Sequence, residues 1–294
     1  MARHGEVEAL AKRLLRPRAR VKLFPGDCRD VLPDLGDGTA HMVLTEPPHF
    51  TGKPPGSGGG VPAGGSFDPV RDRLRDFMEP VAGDLLRILK PGAFALVFYA
   101  PKLMHRMAVA FEDAGFEVID MFAWRFTRGA RFGAASLDRR VEERKDMTAS
   151  ERRDAVRSLA GRKTPEIQSQ FEAVLCARKP PEGTLLDNWL AHGTGLMDAG
   201  QVLKGKVPST VMTCERDSIH SRHRYGGRSE PKPVRICEHL VRLFTKPGQV
   251  VIDPFLGSGS TCVAAYRAGR HSIGIDADPW SIKMAKWRVE EIAR

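Results

Sequence analysis

Two short stretches hold residue types that could do chemistry. The first is Asp253-Pro-Phe255-Leu256-Gly257-Ser258-Gly259-Ser-Thr261, which follows the apolar run Val250–Ile252. Two glycines where a strand hands over to a helix let a ligand approach the backbone closely, and open α/β sheets bind ligands at such handovers. Asp276 lies 17 residues after Gly259, at the end of the next apolar run, where a carboxylate can accept hydrogen bonds from a ribose diol. Together they imply a nucleoside cofactor. A phosphate-binding loop requires Gly-Lys-Ser/Thr, but Gly259 is followed by Ser260-Thr261, which disfavours ATP and GTP. A dinucleotide fingerprint requires a third glycine where Cys262 stands, so NAD fits poorly. The second stretch is Glu46-Pro47-Pro48-His49, directly after the apolar run Ala40–Thr45. Taken alone it reads as a rigid turn ending a strand.

The segments that must position these residues alternate between strand and helix. Val21–Phe24, Ala40–Thr45, Ala93–Tyr99, Glu117–Trp124, Phe171–Ala177, Val250–Asp253 and Ser272–Asp276 read as strands. Helices are expected at 71–89, ending at Lys90-Pro-Gly92, and at 102–114, 232–245 and Ser260–Ala268. The uncharged run Ala93–Tyr99 suits a strand covered on both faces of a parallel sheet. This alternation predicts an α/β fold. Residues 1–20 read as a short basic helix or arm, and 51–66 as a Gly/Pro/Ser-rich loop beside the possible site. Residues 128–163 carry eleven Lys or Arg against six Asp or Glu and read as a helical insertion. Residues 180–230 read as irregular, with Arg216, His220, Arg222, His223, Arg224 and Arg228 close together.

Composition narrows the partners. The 294 residues are 41% hydrophobic, enough to bury a full-sized core. A formal net charge of +10 favours a polyanion, because bound Lys and Arg release counterions from a phosphate backbone. Five dispersed cysteines without a Cys-x-x-Cys pair argue against a disulfide framework and against structural zinc; no metal is expected, and a reducing cytoplasm is. No run of 18 apolar residues suggests a membrane span.

The order of the motifs resembles that of the amino-group DNA methyltransferases, which act on N6 of adenine or N4 of cytosine. Glu230-Pro-Lys232-Pro-Val234 resembles the family's Lys-Pro element before a helix. Lys246 to Thr261 and Gly274-Ile-Asp-Ala-Asp278 resemble its cofactor motifs, and Gly26-Asp27, Thr45–Phe50 and Leu89-Lys-Pro-Gly92 fall in its order. Catalytic motif first and cofactor motif last is the circularly permuted arrangement of the β subclass.

The resemblance implies a three-layer Rossmann-like methyltransferase fold with permuted motif order and a basic, helical or irregular insertion. It divides the chain into a catalytic half at 1–127, target-recognition insertions at 128–230 that contain one core strand (171–177), and a cofactor half at 231–294. S-adenosyl-L-methionine is the implied cofactor, held by Asp27, Lys232, Asp253, Phe255, Leu256, Gly257, Ser258, Gly259 and Asp276. Double-stranded DNA is the implied partner, with homodimers frequent in the family and restriction-modification its usual setting. The catalytic tetrapeptide of the family is Asp/Asn/Ser-Pro-Pro-Tyr/Phe, and here it is Glu46-Pro47-Pro48-His49, a departure at both ends. An exocyclic amine has its lone pair conjugated into the ring. The first side chain and the Pro47 carbonyl must therefore hold its protons, while His49, or Phe50 beside it, would stack on the flipped base. The extra methylene of Glu46 recesses or displaces its carboxylate. An acidic first residue favours adenine, with cytosine N4 methylation and a catalytically impaired DNA- or cofactor-binding relative as alternatives. Cytosine C5 chemistry is set aside, because no cysteine follows a proline.

Overall fold

A computed structural model of the chain describes residues 19–48, 69–126, 134–165, 167–203, 207–215 and 231–293. His49, Phe50, the glycine-rich stretch 51–66, the N-terminal arm and the Arg/His cluster at 216–228 lie outside these residues. Two compact units are present, Phe126–Phe171 and the remainder of the chain.

Among the described residues the larger unit is built on eight strands: β1 (Val21–Pro25), β2 (Ala40–Thr45), β3 (Leu89–Tyr99), β4 (Glu117–Arg125), β5 (Phe171–Arg178), β6 (Val211–Thr213), β7 (Val250–Asp253) and β8 (His271–Asp276). Their order in the sheet is β1-β8-β7-β2-β3-β5-β4-β6. From β1 to β3 all neighbours are parallel, whereas β5 runs antiparallel to β3. The sheet is thus mixed, not purely parallel. That reversal puts the start of β5 beside the end of β3, at the same edge as the carboxyl ends of the parallel strands.

Side chains alternate between two buried faces, as a sheet covered on both sides requires. Ala93, Ala95, Val97 and Tyr99 of β3 join the core packed by α2 (Pro69–Ile88) and α3 (Met104–Asp113). The intervening Phe94 and Phe98 face the other layer, where Phe94 meets Phe244 of α7 (Val234–Phe244) at 4.4 Å between ring centroids. Three layers follow. The connection after β2 includes α2, whereas β7 leads directly into α8 (Ser260–Arg267), whose Thr261 hydroxyl donates to the Leu44 carbonyl. The chain therefore winds outward in both directions from the β7/β2 pair. This is the topological switch point, where α/β sheets open a crevice.

Two local expectations needed correction. Lys90-Pro-Gly92 does not separate helix from strand. β3 already begins at Leu89, and the three residues form an irregularity between the Ala40–Leu89 and Met42–Phe94 pairs. Gly92 is needed there because its φ is +72° and a Cβ would lie 2.3 Å from the Asn188 amide. Residues 180–230 are less irregular than read. A helix, α6 (Leu185–His192), starts at a capping box in which Thr184 and Asp187 each satisfy the other's backbone N–H, and β6 adds a short edge strand. The basic segment at 128–163 does contain helices, α4 (Asp138–Glu142) and α5 (Ala149–Ser158), within the smaller unit. The C-terminal helix α9 (Pro279–Ala293) covers the glycine turn described below. No helix among the described residues is long and apolar enough to cross a membrane.

Candidate active site

β7 ends in Asp253 and β2 in Thr45, side by side at the switch point. Asp253 is 4% exposed. Burial pushes its carboxyl up to about 6, although hydrogen bonds from Thr45, Thr261 and the Phe255 N–H pull the other way. The Thr45 hydroxyl donates to Asp253 Oδ1 at 2.6 Å. This bond links the strand carrying the cofactor motif to the strand carrying the candidate catalytic motif, one residue before Glu46.

The turn after Asp253 is held from both sides. Gly257 and Gly259 have φ of +51° and +82°, and a Cβ on Gly259 would come within 2.6 Å of Ala285 Cβ on α9. The Gly257 N–H donates to Asp276 Oδ2 at 2.7 Å, and the Asp278 N–H donates to Asp276 Oδ1 at 2.9 Å. Burial raises the Asp276 carboxyl, while those two N–H groups lower it. Its first structural duty is thus to pin the glycine turn, and each carboxylate oxygen has a second lone pair for a ribose hydroxyl. From the other side, the buried Arg288 guanidinium donates to the Ser258 carbonyl at 2.8 Å and to Ser260 Oγ at 3.1 Å.

Asp27 lies at the end of β1, joined to this edge by the Gly26 N–H, which donates to the Asp276 carbonyl at 3.0 Å. Its carboxylate caps α1 (Cys28–Val31). The Arg29 side chain that it binds at 2.6 Å holds its carboxyl down at about 2. The Arg29 guanidinium in turn lies over Phe77, which packs against Phe255 with centroids 5.9 Å apart.

At the opposite wall stands Glu46. Its Oε1 accepts from the Lys232 ammonium at 2.6 Å, and the same ammonium lies 2.8 Å from Glu172 Oε1 at the start of β5. Lys232 also sits 5.6 and 5.7 Å from the ring centroids of Phe98 and Trp124, within cation–π range. Burial works against its charge, but Glu46 and then Glu172 outweigh burial and raise its pKa. Pro47 is buried, whereas the exposed Pro48 offers its carbonyl to the Tyr99 hydroxyl at 3.3 Å. The turn is thereby anchored to β3 through Pro48, not Pro47.

One solvent-open cleft joins these walls, lined by Glu46 and Lys232 on one side and by Asp253, Phe255, Gly257 and Ser258 on the other. Leu256 and Thr45 also line it. Gly259 shapes the turn behind it, and neither Asp276 nor Asp27 lines it directly. The site suits S-adenosylmethionine: a glycine cradle that a Cβ on Gly259 would distort, and a buried carboxylate facing the cleft with a raised pKa, which a cationic ligand group would stabilise. Tyr99, Glu172 and Arg288 were missed from sequence, and Thr45 was noted only as the start of the Thr45–Phe50 element. Glu172 leaves a trace there, as a charge near the start of β5.

Comparisons with known proteins agree with this arrangement. A family model described as DNA methylase, covering the N6 and N4 amino-group enzymes, matches residues 40–286. The type II methyltransferase M.HindIII of Haemophilus influenzae is 28% identical over 225 residues, 74% of this chain and 70% of its own. M2.DpnII of Streptococcus pneumoniae is 24% identical over 262 residues, 85% and 82% of the two chains. Among solved structures, the cytosine-N4-specific PvuII DNA methyltransferase superposes with a TM-score of 0.61 at 16% identity, covering 94% of this chain and 90% of that one. The M1.HpyAVI–SAM complex gives 0.53 at 16% identity, covering 92% and 99%. These likenesses carry the Rossmann-like fold, and the family match carries the chemistry: the chain belongs to the S-adenosylmethionine-dependent N6/N4 amino-group DNA methylases.

Proposed function

We propose that this DNA methyltransferase acts on adenine N6, with the Glu46 carboxylate and the Pro47 carbonyl accepting hydrogen bonds from the two N–H groups of the flipped amine. The observation that carries this reading is that Glu46 and Asp253 line one cleft, their strands tied by the Thr45–Asp253 hydrogen bond. S-adenosylmethionine, when bound, supplies an electrophilic methyl group. Asp253, Phe255, Leu256, Gly257, Ser258 and Gly259 form its cradle, Asp276 fixes the cradle and serves a ribose hydroxyl, and Asp27 borders it through Gly26. By accepting a hydrogen bond from the amine, Glu46 favours a pyramidal nitrogen whose lone pair has left conjugation with the ring and can point at the methyl. Its extra methylene is accommodated by the bond to Lys232, which holds the carboxylate at the rim of the cleft. Pro48 and Tyr99 keep the turn rigid, so the acceptors are in place before the base arrives. His49 is the candidate stacking ring.

Residues 128–166 and residues 180–228 are each candidate DNA-contacting segments. Exposed Arg140, Lys145 and Arg153 of the smaller unit suit phosphate contacts, although neighbouring Arg139, Arg144 and Arg157 are paired with acids in the same unit. The acidic first residue of the tetrapeptide favours adenine over cytosine. Incubation with S-adenosylmethionine and mixed-sequence duplex DNA, followed by digestion to nucleosides and mass spectrometry, tests the reading. N6-methyl-2′-deoxyadenosine is expected; N4-methyl-2′-deoxycytidine would overturn the choice of base, and the absence of both would overturn catalysis.

A further inference from the structure

The Lys232 ammonium is shared by two carboxylates that play different parts. Glu46 stands at the rim of the cleft, its side chain 29% exposed, while Glu172 is more enclosed at 13% and belongs to another strand. Lys232 itself is 12% exposed and confined by Phe98 and Trp124. Glu172 occupies this place because β5 is antiparallel to β3: Tyr99 pairs with Ala173, so the preceding residue of β5 lies level with the carboxyl ends of β2 and β3.

We propose that Glu172 is a positioning residue for methyl transfer, anchoring Lys232 so that the ammonium fixes the Glu46 carboxylate at the rim without neutralising it. This inference rests on the reading of Glu46 as the acceptor for the target amine. An ammonium bound to Glu46 alone would form a closed ion pair and weaken Glu46 as an acceptor for a neutral amine. A second carboxylate 2.8 Å away on the same nitrogen divides that attraction and sets the direction from which Lys232 reaches Glu46. Lysine suits such sharing, being a compact charge with three donors on a flexible stem. The arrangement also accounts for glutamate in the first position of the tetrapeptide, since the longer side chain spans from β2 to this ammonium.

The test compares steady-state methylation by the full chain and its variants on one duplex that the parent methylates. Glu172→Gln should lower kcat about 10- to 100-fold, because loss of orientation at the reacting group acts on the bound complex. The KM for S-adenosylmethionine should stay within about twofold of the parent. Glu172→Asp, which restores the charge on a shorter arm, should recover about tenfold of the lost kcat. Since Glu172→Gln leaves a buried ammonium with one partner fewer, the double variant Glu172→Gln/Lys232→Met guards against loss of the fold. It should regain the parent's thermal midpoint but keep the low kcat. A double variant that regains both would show that Glu172 only balances charge and would overturn the proposal, as would an unchanged kcat for Glu172→Gln. Glu46→Gln separates the two levels of the argument. If it keeps the parent's kcat, the reading of Glu46 falls and this proposal falls with it. If it is inactive while Glu172→Gln is fully active, only the role of Glu172 falls.

Discussion

Asp253→Asn should make the protein more stable and less able to bind its cofactor. The carboxyl is raised from 3.8 to about 6, chiefly by burial. The native state therefore holds its proton more tightly than the unfolded chain does. Between these two values the native state is protonated while the unfolded chain has lost its proton, so stability falls as pH rises through the window and stays low above it. The shift corresponds to about 3 kcal/mol at neutral pH and above. Asparagine keeps an oxygen for the Thr45 hydroxyl and the Phe255 N–H, which donate to Asp253 Oδ1. It adds an amide whose burial costs about 1 kcal/mol. The net gain at pH 8 is about 2 kcal/mol, or roughly 4–8 °C in Tm. Because the parent's own penalty shrinks on acidification, the difference should fall below about 1 kcal/mol near pH 5. Unfolding followed by circular dichroism at the two pH values measures both quantities, and calorimetry with S-adenosylhomocysteine measures the lost binding. A variant less stable than the parent at pH 8, or a difference that does not narrow at pH 5, would refute the assignment of a strained, buried carboxylate.

The turn and the charge can be tested separately. Gly259→Ala places a methyl 2.6 Å from Ala285 Cβ at a φ of +82°. About 1–2 kcal/mol of backbone strain and 1–3 kcal/mol of overpacking should lower the Tm and weaken S-adenosylhomocysteine at least about tenfold; unchanged affinity in calorimetry would remove the turn from the site. DNA binding by this chain of net charge +10 should weaken steeply with salt, log Kd rising linearly with log salt by about 0.9 per phosphate contacted. A flat response in a fluorescence-anisotropy titration would dismiss a phosphate-contacting face.

The strands were legible because runs such as Ala93–Tyr99 are buried on both faces and need no polar alternation, and the glycine turn because close backbone approach leaves few other residue choices. What sequence could not show depended on distant partners. Gly92 bends the start of β3 because Asn188, 97 residues beyond Pro91 and hydrogen-bonded to its carbonyl, fills the space a side chain would need. α6 was hidden because it is only about two turns long between Gly183 and Gly193, although Thr184 and Asp187 stand at the spacing of a capping box. At the site, Glu46 and Lys232 were each noticed, but their bond joins residues 186 apart and involves Glu172, which no local pattern links to either. Asp276 was expected to serve a ribose, and its hold on the Gly257 N–H could not be read from the interval between them.

The central claim is that the Glu46 carboxylate holds the amine that receives the methyl group. Single-turnover methyl transfer from S-adenosylmethionine to a duplex carrying the mapped site, compared between the parent and Glu46→Gln at equal cofactor occupancy, tests it most directly. The account predicts N6-methyl-2′-deoxyadenosine from the parent and a rate at least about 100-fold lower from the variant, with S-adenosylhomocysteine affinity preserved. Equal rates from the two proteins would contradict it.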